Sequence, residues 1–322
     1  MAARPSLAVL MDPLETIKPA KDSTIAMLVA ASRRDCDVWC FGQADLSARD
    51  GRASARLTPI EVRGAGKEKD WYRTGEPVVR ELKGVDAVMM RKDPPFDMEY
   101  IYTTYLLERA EREGVLVVNR PQGLRDMNEK AYTAWFPDCC APTLITRDMA
   151  AMQAFLDEHG QAVFKPLDGM GGRSIFVVAK GDRNARVVFE TLTDYGGRYA
   201  IAQRYLPEIA ETGDARILLV DGEPVPHALV RMPAAGDHRG NLAAGARAES
   251  RALTDRDRWL CAQIGPVMRE RGMLFVGLDV IGGFVTEINV TSPTGIRELE
   301  ARHGHDIGGL LIDAVLSRRK SR

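Results

Sequence analysis

At 322 residues the chain is long enough for two domains, and its 45% hydrophobic and 28% charged residues exclude a disordered chain, a fibrous repeat or a stapled mini-protein. Lys and Arg number 44 against 45 Asp and Glu, a net charge of −1 with no basic or acidic tail, so the electrostatic footprint of a nucleic-acid binder is missing. No apolar run approaches the ~20 residues that cross a bilayer and no signal-peptide core opens the chain, so neither nucleic acid nor membrane is expected as a partner and the expected compartment is the cytoplasm.

Taken in chain order, Leu7–Met11 reads as a buried strand. Asp22–Arg34 follows as a helix with Ile25, Leu28 and Val29 on its apolar face, and Val38–Phe41 and Ala87–Met90 return as strands. Asp97 can cap a helix that runs to Glu113 and stops at Gly114, before a strand at Val115–Val118. This alternation predicts an α/β N-terminal domain with a mostly parallel sheet, over residues 1–127. Residues 42–84 carry no readable pattern, and the Trp71-Tyr72 pair within them has no evident role.

From about Asn128 the pattern becomes antiparallel, predicting an α+β domain over 128–318. Asp221-Gly222 suits a two-residue type I′ hairpin turn. Thr254 and Asp257 form a capping box for a helix ending near Arg271-Gly272, and Met273–Ile281 and Phe284–Val290 make a hairpin around Gly282-Gly283. Gly236–Gly245 has no strong period and reads as a mobile loop.

The five cysteines are scattered and odd in number, which fits reduced thiols better than disulfides or zinc. No His-Glu-x-x-His or Gly-x-Ser-x-Gly occurs, and His303-Gly304-His305 is more often a plain loop than a chelate. The chemistry gathers elsewhere. In Phe164-Lys165-Pro166-Leu167-Asp168-Gly169-Met170-Gly171-Gly172-Arg173-Ser174, a strand delivers a lysine and a loop then offers three glycines in four positions. Such backbone can turn several N–H groups toward an anion. Asp279, Glu287 and Asn289 lie within apolar strand runs where such residues are depleted. Glu287 and Asn289 share a face, and hard oxygen donors of this kind suit Mg²⁺. Asp279 joins them only if the hairpin has a three-residue loop or an equivalent bulge, because a one-residue slip flips every side chain.

Lys130, Lys165, the Gly169–Gly172 loop, Asp279, Glu287 and Asn289 resemble the nucleotide and metal set of the ATP-grasp superfamily. Met90–Asp97 (Met-Arg-Lys-Asp-Pro-Pro-Phe-Asp), Leu124–Lys130, Arg239–Gly245 and Glu287–Pro293 extend the likeness, and the chain resembles bacterial glutathione synthetase over nearly its whole length. The resemblance implies an α/β domain followed by an ATP-grasp domain with glycine-rich lid loops, and an ATP-dependent ligase that joins γ-glutamylcysteine to glycine through an acyl phosphate. It implies ATP as co-substrate held by Lys130, Lys165, Gly169, Gly171, Gly172, Ser174 and the Gln203, Tyr205, Leu206 segment. It also implies two Mg²⁺ ions, replaceable by Mn²⁺, on Asp279, Glu287 and Asn289, and a homotetramer. Arg297 and Arg239 are expected to serve catalysis, Arg297 at the oxyanion formed when glycine attacks, and Arg91, Arg231 and Asn241 to bind the carboxylate-bearing substrates. Met232–Ala248 is the expected lid. An ATP-grasp ligase for another peptide or amino acid, and a non-catalytic synapsin-like ATP-binding protein, are the alternatives.

Overall fold

The computed structural model describes residues 4–66, 70–234 and 247–320. Strand β1 (Ser6–Leu10) is apolar and buried on both faces, as a central parallel strand must be. It leads through helix α1 (Ser23–Ser32) to β2 (Asp37–Phe41), and the side chain of Asp22 caps α1 by accepting from Thr24 N at 2.6 Å. Next come β3 (Leu46–Arg49), β4 (Arg52–Val62), β5 (Tyr72–Thr74) and β6 (Val78–Glu81), which fill the stretch whose sequence has no readable pattern. Then β7 (Ala87–Met90), helix α2 (Met98–Arg112), which Asp97 caps at Tyr100 N, and β8 (Leu116–Val118) complete the first sheet. Strands β2, β1, β7 and β8 are parallel in that order, and β4 is antiparallel to β2. The inward residues of β4 are Ala53, Ala55, Leu57 and Ile60, and Pro59 lies within it. Two small alanines and a proline give little strand signal. Trp71 is a core residue, 2% exposed, tilted against Tyr72 at 4.7 Å.

After α3 (Pro121–Asp126) the chain builds a small antiparallel sheet from β9 (Thr143–Thr146), α4 (Met149–His159), β10 (Gln161–Pro166), β11 (Phe176–Ala179), α5 (Ala185–Thr193) and β12 (Ala200–Arg204). Its order is β11-β10-β12-β9. The two helices close a separate core around Phe155, Phe164 and Phe189. The third sheet follows α6 (Ile209–Thr212) and holds β13 (Asp214–Val220), β14 (Glu223–Pro224), β15 (His227–Met232), β16 (Arg247–Ala252), α7 (Asp255–Glu270), β17 (Phe275–Ile281) and β18 (Phe284–Asn289). It is antiparallel, in the order β16-β15-β13-β17-β18. Asp221 and Gly222 form the expected tight turn with φ of 51° and 79°, and the Thr254/Asp257 capping box starts α7. Helices α8 (Ile296–His303) and α9 (Ile307–Lys320) end the fold.

The first and third sheets share one core. Leu7, Val9 and Ile25 cluster with Leu218, Phe275 and Ile312, so α9 packs back onto the N-terminal part. Asn119, 4% exposed, ties the two sheets together. Its amide donates to the carbonyls of Phe275 and Val290, both at 2.7 Å, and its oxygen accepts from Phe275 N at 2.9 Å. Most of the expected lid, with Arg239 and Asn241, lies outside the described residues.

Candidate active site

Gly282 and Gly283, at φ of 56° and 79°, make a two-residue turn between β17 and β18. Ile281 pairs with Phe284 and Val280 with Val285, a register that by itself would set Asp279 opposite Thr286. Instead the register shifts, so that Asp279 pairs with Glu287 and Gly277 with Asn289. Thr286 is the extra residue of a bulge. The three-residue loop is therefore not formed, and the bulge is what brings Asp279, Glu287 and Asn289 onto one face.

Lys165, on β10, and Lys130, just before a short 3₁₀ turn, reach this face from above. Their ammonium groups lie 3.3 Å and 3.7 Å from Glu287 Oε1, and Lys130 also donates to the carbonyl of Gly169 at 2.5 Å. Burial pushes the Glu287 carboxyl up, but the charges of Lys165 and Lys130 outweigh it and hold the group below its ordinary range. The glycine loop joins β10 to β11, so Gly169, Gly171 and Gly172 roof a cleft whose walls include Lys130, Lys165, Gln203, Tyr205 and Leu206. Ser174, at φ 56° on the loop's return toward β11, does not line that cleft.

An adjoining cleft shares Lys130, Gly169, Asp279 and Glu287 and adds Arg216, Arg231 and Asn289. Arg216 grips Asp279 with Nε at 2.5 Å and Nη2 at 2.8 Å. Arg231 bridges Asp279 at 2.9 Å and Asp214 at 2.6 Å. Burial drives the Asp279 carboxyl upward, and the two guanidinium groups reverse this and hold it far below the usual carboxylate range. For Asp214 burial wins over Arg231, and the carboxyl is raised. Glu129 supports the strand end by accepting from Val290 N and Thr291 N. Arg216, Asp214 and Glu129 are missed in the sequence reading. Arg216 carried a usable signal, since it is a charge inside the apolar run Ala215–Val220, as Asp279 is in its own strand.

Arg91 is 6% exposed and lines a further cleft beside this one. Arg297 lies apart from both clefts. It opens α8 as expected, but its guanidinium donates to the carbonyls of Pro19, Ala65 and Gly66 and lines neither cleft. The chain enters α8 with Ile296 N bonded to Ser23 Oγ, which turns Arg297 toward the α1 side and away from the face of Asp279 and Glu287.

The donor set on that face suits a hard cation. Asn289 uses its amide nitrogen on Gly277 O at 3.2 Å, which leaves its oxygen available, and among the described residues Glu287 is held by Lys130 and Lys165. Three N–H groups occupy Asp279, one short of the roughly four positions a carboxylate can accept. Oxygen donors from two carboxylates and one amide therefore fit Mg²⁺. His303 and His305 gather with His227, whose ring stacks on His303 at 3.7 Å, yet no cage of three or more His, Cys, Asp or Glu side chains is found among the described residues. All five cysteines are free thiols, and burial pushes those of Cys40, Cys140 and Cys261 up to about 12.

Residues 129–304 match the family described as prokaryotic glutathione synthetase, ATP-grasp domain, and residues 6–125 match prokaryotic glutathione synthetase, N-terminal domain. The chain belongs to the prokaryotic glutathione synthetase family. The glutathione synthetase of Pseudomonas putida is 52% identical over 316 residues, covering 98% of this chain and 99% of that protein. That of Salmonella typhimurium is 50% identical over 312 residues, covering 97% and 98%. Among solved structures, a D-cycloserine synthetase superposes with a TM-score of 0.68 at 14% identity, covering 97% of this chain and 99% of that one, which shows the shared fold. The chain is thus an ATP-dependent ligase with glutathione synthetase function.

Proposed function

We propose that this enzyme joins γ-glutamylcysteine to glycine at the face formed by Asp279, Glu287 and Asn289, with ATP lying under the Gly169–Gly172 loop. The convergence of Lys130 and Lys165 on Glu287 Oε1 carries this reading, because two cations and a carboxylate at the floor of a glycine-roofed cleft suit a polyphosphate. Lys130 and Lys165 hold phosphate oxygens as point charges, and the Gln203–Leu206 segment borders the adenine end. Mg²⁺ on Glu287, Asn289 and Asp279 would neutralise charge on the β- and γ-phosphates.

A carboxylate is a poor electrophile, so the cysteinyl carboxylate first takes the γ-phosphoryl group and becomes an acyl phosphate. Arg216 and Arg231 border this position. Asp279 and Asp214 fix their guanidinium planes, so their remaining N–H groups are oriented before substrate arrives. The same donors meet the oxyanion that forms when the amine of glycine attacks the acyl carbon, after which phosphate leaves. Arg91 belongs to the carboxylate-binding set, and Arg239 and Asn241 keep their proposed roles in catalysis and substrate binding. The reduced state of five free thiols supports a cytoplasmic enzyme. Met98, Tyr102 and Tyr105 lie exposed along one side of α2 and offer a surface for a second copy in a homo-oligomer, which sedimentation would test.

The deciding assay follows ADP release with ATP, Mg²⁺ and γ-glutamylcysteine, with glycine added or withheld. Sustained release and glutathione formation are expected only with glycine. A much faster rate with a different dipeptide or amino acid would keep the ligase and discard the product.

A further inference from the structure

The Asn128-Glu129-Lys130 tripeptide bonds to three separate parts of the site. Lys130 lies 3.7 Å from Glu287 Oε1 and donates to the carbonyl of Gly169 in the glycine loop. Glu129 holds the end of β18. Its carbonyl accepts from Ile288 N at 2.8 Å, and one carboxylate oxygen accepts from Val290 N, Thr291 N and Thr291 Oγ1. Asn128 has the third task. Its Oδ1 accepts from Lys130 N at 3.1 Å and from Ala131 N at 2.9 Å, which caps the short 3₁₀ turn that follows Lys130. Because two N–H groups claim the oxygen, the amide orientation is fixed, and Nδ2 donates to the carbonyl of Leu167 at 3.1 Å. Leu167 is the first residue after β10, where the glycine loop leaves the strand.

One short amide therefore joins the turn that places Lys130 to the loop that roofs the cleft. An ion pair of Arg198 with Asp168 at 2.6 Å also reaches this loop, but both side chains are more than half exposed, and such pairs are weak in water. A phosphate that draws on the Lys130 ammonium competes with its bond to Gly169, whereas the bond from Asn128 to Leu167 is not spent on substrate. We propose that Asn128 is a positioning residue for phosphoryl transfer, which holds the Gly169–Gly172 loop at a fixed height over Lys130 and Lys165. The inference rests on the reading above, which sets the ATP phosphates between that loop and the two lysines. Displacing such a roof by about 1 Å draws its N–H groups off the phosphates, enough to cost about an order of magnitude in rate or more.

The test compares Asn128→Ser with Asn128→Ala. Serine keeps an acceptor for the turn but is too short to reach Leu167, so it removes the tether and spares the cap, while alanine removes both. Asn128→Ser should melt within a few degrees of wild type. Its kcat/KM for ATP should fall about tenfold and Mg·ADP should bind about tenfold more weakly, as loss of one well-placed hydrogen bond predicts. The KM values for glycine and γ-glutamylcysteine should not move. Asn128→Ala should add a lower melting temperature to the same kinetic loss. A wild-type kcat/KM for ATP in Asn128→Ser, or a decline spread equally over all three substrates, would overturn the tether. Failure of the parent reading looks different. A wild type that makes no glutathione, with Mg·ADP binding still weakened in Asn128→Ser, would remove the named product and leave the tether standing.

Discussion

Asp279 faces Glu287 across the β17–β18 hairpin although only Gly282 and Gly283 separate the paired ends of the strands. The bulge at Thr286 reconciles the short turn with the convergence of the acids. Two carboxylates so close repel unless cations offset them, and Lys130, Lys165, Arg216 and Arg231 supply that charge on the protein side.

Replacing Glu287 by Gln keeps the volume and removes the charge that the two lysines face. We expect a melting temperature within a few degrees of wild type and ADP formation lower by about 100-fold or more, the size found when one preorganised electrostatic group is lost. Circular dichroism and a coupled ADP assay on the same preparation would check both halves. A variant of near-normal rate would remove Glu287 from the phosphate site.

Arg216→Met leaves Asp279 buried with one guanidinium in place of two. The expected cost is about 3 kcal/mol of unfolding free energy, the lower end for breaking a buried pair. Adding Asp279→Asn to the same chain should recover most of it, because the uncompensated charge is gone, while activity stays lost. Urea unfolding of the single and double variants measures the coupling directly.

Arg297 gives a clean separation of roles. Its guanidinium serves the carbonyls of Pro19, Ala65 and Gly66, so Arg297→Met should strand these acceptors and cost about 2–3 kcal/mol. The folded variant should keep its kcat within about threefold, since no transition-state donor is removed. A loss of two orders of magnitude at unchanged stability would restore the oxyanion role that its sequence position suggests.

Asp257 sets a pH dependence. Burial raises its carboxyl, but bonds from Arg251 and from Thr254 more than offset this, and the group is held below its ordinary value. A carboxyl lowered in the fold contributes stability that is present above the unfolded value near ~3.9 and is lost as pH falls through the folded one. Asp257→Asn should therefore cost about 1–2 kcal/mol at pH 7. Its deficit against wild type should shrink as the pH drops below ~4, and a deficit independent of pH would show that charge is irrelevant to this cap.

Much of this was legible in the residues themselves. Period and capping gave α1, α2 and α7, and Asp221-Gly222 gave its turn, because each rests on local chemistry. The cluster of Asp279, Glu287 and Asn289 was legible as a candidate site because polar residues stand out in apolar strands. Strand β4 was hidden because two of its four inward positions are alanine and a proline sits within it, and its burial comes from neighbours distant in sequence. For Arg297 the sequence showed position but not direction. Proximity along the chain to Asn289 says nothing about direction, which is set by the contact of Ile296 with Ser23 on another element.

The three hydrogen bonds of Asn119 carry a mechanical consequence. They pin β8 to the strand ends of β17 and β18, across the point where the sequence passes from one family region to the next. The two family regions are thus expected to move together. The β9–β12 sheet, with its separate core of Phe155, Phe164 and Phe189, is expected to tilt as a body. Nucleotide exchange should then register as hydrogen–deuterium exchange at the edges of that small sheet, while the Asn119 seam stays protected through every turnover.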